Sequence, residues 1–131
     1  MFDVYVIECD ALMVARVKGV LDAQATEKIV EFIEIKEEQS ENGFNRFCDL
    51  TRLEGINLSF AEIQQLAKRR SLFNPNNFKV KSAFLATHPL ACGIARMYAE
   101  SLNSPRIEVR VFGEMETAAE WLGVEPDSFT Y

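Results

Sequence analysis

Four polar side chains and one cationic run carry what chemistry this chain could do: Asp49, Thr51, Ser59, His88 and Lys68-Arg69-Arg70. Asp49 and Thr51 stand two apart at the end of an apolar run, and Ser59 follows a short polar stretch. A carboxylate and two hydroxyls so placed could line a ligand crevice. In the plainer reading Asp49 only holds the N–H groups of a turn. His88 is the one imidazole of the chain. When neutral it could donate to a ligand or shuttle a proton, or it could simply cap the helix opening at Pro89. No Ser or Cys stands at a motif spacing from it, so no catalytic residue is assigned. On a helix, Lys68, Arg69 and Arg70 fan over about 200°. They therefore read as a solvated face or, with Arg52, Arg96 or Arg106, as an anion contact. Cys92 near a helix start is either a low-pKa thiol or a small packing residue. Phe73 and Phe78 flank Asn74-Pro75-Asn76-Asn77 and could wall a crevice with apolar surface. There is no glycine-rich phosphate loop, no framed pair of carboxylates and no metal-ligand spacing, so neither cofactor nor metal is expected.

The elements that must position these groups follow from periodicity. Val4–Cys9 and Leu12–Lys18 read as strands joined by a tight turn at Asp10-Ala11, with Gly19 ending the second. Asp22 caps a helix over Ala23–Asn42, in which Ile29, Phe32, Ile33 and Lys36 share one face and glutamates the other, with Gly43 as the stop. Arg46–Thr51 is a short strand and Arg52–Leu58 a loop. Ser59-x-x-Glu62 is a capping box for the helix Phe60–Phe73. Lys79–Thr87 reads as a buried strand, Leu90–Leu102 as a helix, Arg106–Phe112 as a half-exposed strand and Met115–Leu122 as a last helix, with loop from Gly123. The expectation is one α/β domain over residues 1–131, a mixed five-stranded sheet with four helices in the order ββαβαβαβα. If its strands are parallel, Asp49, Thr51 and His88 share a rim, and the crevice lies there between the second and third helices.

Composition narrows the partners. With 131 residues, 48% hydrophobic and ten Phe, the chain can bury a core without staples. A net charge of −6 disfavours nucleic acid. Three scattered Cys (Cys9, Cys48, Cys92) fit a reducing cytoplasm better than a disulfide framework. No run approaches the roughly 20 apolar residues of a membrane span. The alternating Arg106–Phe112 strand or the opening hairpin is expected to offer an edge for homodimerisation, which a monomeric mass in light scattering would remove.

Two stretches resemble a known family. Gly19-Val20-Leu21-Asp22-Ala23, between a strand and a helix, resembles the G-x-L-D turn of STAS domains, the fold of anti-sigma-factor antagonists. Phe47-Cys48-Asp49-Leu50-Thr51 resembles their third strand. The closing pattern Phe112 through Ala118, Trp121 and Leu122 resembles small bacterial SpoIIAA-like proteins, a group related in fold to CRAL-TRIO lipid-binding domains. The resemblance implies a STAS/SpoIIAA-like fold and a non-enzymatic regulatory module that binds a protein partner. The alternative is a carrier or sensor for an apolar or anionic ligand, a lipid or a nucleotide. In the antagonists a D-S-S-G motif opens the helix after the third strand, and its first Ser is phosphorylated. Here the matching residues are Asn57-Leu58-Ser59-Phe60, with Leu at the acceptor position. Ser59 is the one hydroxyl left for phosphorylation, and as a cap its oxygen is already engaged.

Overall fold

The computed structural model describes residues 11–73, 75 and 78–129, together with the backbone of 2–7. Cys9 and most of the Asn74–Asn77 break lie outside the described residues. Strand β1 (Phe2–Ile7) pairs antiparallel with β2 (Leu12–Asp22). From β2 the sheet continues in parallel through β3 (Asn45–Asn57), β4 (Val80–Leu85) and β5 (Ile107–Phe112). Four of the five strands are therefore parallel. Helices α1 (Ala23–Gln39), α2 (Phe60–Leu72) and α3 (Pro89–Ser101) make the crossovers, and α4 (Met115–Leu122) follows β5. A 3-10 turn over Pro126–Phe129 extends the order of elements beyond the expected one, replacing what reads in sequence as tail loop.

Strand order along the sheet equals chain order. Right-handed crossovers that always step the same way put every connecting helix on one face. Accordingly Val17 and Leu50 pack with Ile29 of α1 and Ala91 and Ala95 of α3. The opposite face, with Val14, Phe47 and Leu85, is left to α4 and the closing turn. There the Phe129 ring lies flat on Phe47, centroids 3.7 Å apart, and the Arg16 guanidinium donates to the Phe129 carbonyl.

Two sequence expectations about boundaries fail at the same place. Gly19 does not end β2, and Arg52–Leu58 is not a loop, because β3 runs on to Asn57 beside Lys18–Asp22. Gly19 continues the strand at φ +76°, a conformation open to glycine at little cost. Between the two strands the register slips by one residue twice, once opposite Val17 and once between Gly19 and Val20. Each slip is a bulge on β3, so the residues it turns toward the helices, Leu50, Leu53 and Ile56, are spaced by three instead of two. Helix α1 also stops at Gln39, three residues early, and Ser40 caps it. Gly43 is needed further on, at φ +72°, where a Cβ would lie 2.9 Å from that of Phe78.

Candidate functional site

The shared rim exists, but its polar groups are occupied. Strands β3 and β4 run parallel, with Asp49 opposite Leu85, so the ends that carry Asp49 and His88 point the same way. Asp49 is buried, and its Oδ1 accepts from both the backbone N–H (2.8 Å) and the hydroxyl (2.6 Å) of the exposed Thr51. Alternation with Phe47 turns Asp49 toward α4, away from the three crossover helices. His88 is exposed and caps α3, its Nδ1 accepting from the Leu90 N–H at 3.2 Å. Ser59 caps α2: its Oγ accepts from Glu62 N–H while Glu62 accepts from the Ser59 N–H. No hydrogen bond joins Asp49, Thr51, Ser59 and His88 to one another beyond the Asp49–Thr51 pair. Replacing Ser59 by Ala should cost about 1 kcal/mol, the usual worth of such a cap, read from the urea midpoint. A loss near zero would show the box to be ornamental.

The topology gives no reversal of strand order to open a crevice at this rim. Crevices at the carboxyl ends of parallel strands open where strand order reverses and successive crossovers part to opposite faces. Here the order never reverses. A partly open cavity of about 130 Å³ lies under the crossover helices, bounded by β2, β3 and β4 below and α1, α2 and α3 above. Its wall is mostly apolar, with small side chains such as Ala15 and Ala95 leaving the room. None of Asp49, Thr51, Ser59, His88, Phe73 or Phe78 lines it. Phe73 ends α2 and offers its carbonyl to the Arg106 guanidinium, while Phe78 packs at Gly43.

The cationic run behaves unlike a solvated face. Lys68 is exposed, Arg69 partly buried and Arg70 buried. Arg69 reaches Glu27 and Glu34, each at 2.7 Å, and Arg70 reaches Glu34 at 3.1 Å and Glu37 at 2.8 Å. Glu37 also takes Arg46 at 2.8 Å and Arg106 at 3.6 Å, so three guanidinium groups converge on one carboxylate. Burial pushes the Glu37 carboxyl up, but hydrogen bonds from Arg70 and Arg46 and their charge outweigh it and hold the group below its ordinary value. For Arg46 burial dominates and pulls it down, with Glu37 opposing and the like charge of Arg70 adding to the fall. Arg70, with two carboxylates, moves up despite its burial. Tyr98, packed beside these arginines, is raised by burial and partly restored by Arg70 and Arg46. Arg46, Arg70, Tyr98 and Ser82 form the polar end of the cavity.

This network is the feature that periodicity missed. The glutamates of α1 read as its solvated side, yet Glu34 and Glu37 are buried. The signal available was their i, i+3 spacing on one helical face together with the adjacent arginines of α2. Of the two described thiols, Cys92 donates to the Ala86 carbonyl, and burial together with the Asp49 charge pushes Cys48 up to about 12.

Compared with known structures, the chain resembles an uncharacterised DUF3478-family protein with a SpoIIAA-like fold from Shewanella loihica PV-4. The TM-score is 0.60 at 17% identity, over 93% of this chain and 92% of that one. No family model and no curated protein matches the chain. The fold is thus SpoIIAA-like, an α/β domain with four helices, and the expected tie to CRAL-TRIO domains gains no support from the likeness. Among the described residues no helix is long and apolar enough to cross a membrane.

Proposed function

We propose that this domain is a non-enzymatic carrier or sensor that holds a small apolar ligand between its sheet and its crossover helices. The observation that carries the reading is the cavity of about 130 Å³, apolar along most of its wall, between the sheet and the crossover helices. Voids of that size are uncommon in packed cores, and an apolar cavity of about 150 Å³ stays dry and accepts a benzene-sized guest. The Asp49–Thr51 pair and the His88 cap, both engaged in local hydrogen bonds, fit a binding role better than catalysis.

A thermal-shift screen with small apolar compounds tests it. A ligand at a hundred times its Kd stabilises by about 2.7 kcal/mol, several degrees for a domain of this size. Replacing Ala95 by Leu extends a side chain from α3 into the cavity. The variant should remain folded and lose the ligand-induced shift. A full shift in that variant would place the ligand elsewhere. If no compound shifts the wild type, the regulatory reading takes precedence. That reading draws on Phe60, 57% exposed beside Ser59, as an apolar contact for a protein partner.

A further inference from the structure

The buried charges beside the cavity do not balance. Among the described residues, Arg46, Arg70 and Arg106 are buried on this side of the sheet against Glu34 and Glu37 alone. Arg69 and Glu27 join at the periphery as a cation and an anion and leave the difference unchanged. The third buried acid, Asp49, belongs to the opposite face and is taken up by Thr51. Among the described residues one positive charge is therefore in excess, in a region where an uncompensated ion costs several kcal/mol.

A second observation locates where the balancing group belongs. Arg46 is 8% exposed, and its Nε is buried without a hydrogen-bond partner, although its terminal nitrogens are bound to Glu37 and to the Phe44 carbonyl. A buried guanidinium N–H left unmade is expensive and rare. Arg46 lines the cavity together with Ser82, its register partner on β4, and with Tyr98 of α3. These supply further hydroxyl donors. The other orphaned polar atom, Thr26 Oγ1, is neutral and adds nothing to the imbalance.

From this polar end the wall turns apolar and follows the strands upward, through Met13, Ala15 and Val17 to Leu21 on β2. Those residues span about 26 Å of extended chain. A volume of about 130 Å³ with this lining has room for a short aliphatic group whose head lies at the polar end.

We infer that the ligand is a monocarboxylate with a short aliphatic tail, its head held by Arg46 with Ser82 and Tyr98 and its tail against the apolar wall of β2 and β3. The inference rests on the cavity being the binding site and adds the class of ligand. One carboxylate supplies the single charge the network lacks, and its oxygens accept the orphaned Nε–H. A dianion would overshoot the balance, and an alcohol would leave it uncorrected.

The test compares octanoate with octanol by titration calorimetry on the full chain, since the two share a tail and differ in the head. Octanoate should bind at least about tenfold tighter, the margin of one charge-assisted hydrogen bond. In parallel, the Arg46 Nε–Hε resonance of the wild type should move when octanoate is added and stay when octanol is. Arg46→Gln should bring the two ligands to parity. If that variant fails to fold, the resonance decides the question in the native protein. Equal affinity of octanoate and octanol, or a stationary Arg46 signal, overturns the carboxylate inference while leaving the cavity a binding site. Absence of binding by both, with no hit in the wider apolar screen, overturns the cavity reading as well.

Discussion

Replacing Glu37 by Gln is expected to cost the domain about 3–5 kcal/mol, the usual penalty for removing one partner of a buried ion pair. The reason is geometric. Glu37 is 3% exposed, and it is the carboxylate on which Arg46, Arg70 and Arg106 all converge. Without it Glu34 alone faces three buried guanidinium groups. Domains of this kind have roughly 5–15 kcal/mol of stability in all, so the change should be plain in the urea midpoint. Glu27→Gln is the matched control. Its side chain is 60% exposed and, among the described residues, bridges only Arg69, and surface pairs of that sort are worth about 0–1 kcal/mol. Similar losses in the two variants would mean that the network is not the organising contact described above.

The same carboxylate sets an acid limit. Its folded pKa lies below the ordinary value of 4.5. A group so depressed contributes its full stability above the unfolded value, and the contribution fades as pH falls through the folded one. Wild-type stability should therefore drop below about pH 4.5, where the Gln variant should be flatter, as urea midpoints measured across that range would register.

The second large effect is expected at the far end of the chain. Phe129→Ala should cost about 3–5 kcal/mol, the range for truncating a buried aromatic. Phe129 is 1% exposed and stacks on Phe47 at an interplanar angle of 4°. On this face of the sheet α4 is only eight residues long, and the closing turn covers what it leaves open. Chemical denaturation of the variant measures the loss. A change under about 1 kcal/mol would make the tail an accessory and leave the Phe47 face to α4.

The contrast between these positions and the rest of the chain explains what was legible in the sequence. Caps are local chemistry, so Asp22, Ser59 with Glu62, and His88 before Pro89 could be read directly, and each makes its hydrogen bond. The layered α/β arrangement followed from alternating periods. Where the reading failed, the deciding partner lay far away in sequence. The stretch Arg52–Asn57 looks like loop because its inward residues Leu53 and Ile56 break the period of two, and only pairing with β2 holds it extended. Phe129 reads as tail because nothing nearby announces that its partner is Phe47. Glu34 and Glu37 read as solvated because acids on helices usually are, and the arginines that bury them come from β3, α2 and the approach to β5. The candidate site suffered most. Its rim was inferred from strand direction, which held, and from a general habit of α/β sheets, which requires a reversal of order that this sheet lacks.

The two bulges on β3 have a consequence for how such a chain can change over generations. Each absorbs one surplus residue between inward positions, so trimming a residue between Leu50 and Leu53, or between Leu53 and Ile56, straightens the strand and keeps its apolar side chains under the helices. The same deletion between Arg46 and Leu50 would turn every later side chain to the wrong layer. Insertions and deletions in a lineage carrying this fold should therefore gather at these two joints of β3 and spare its first half.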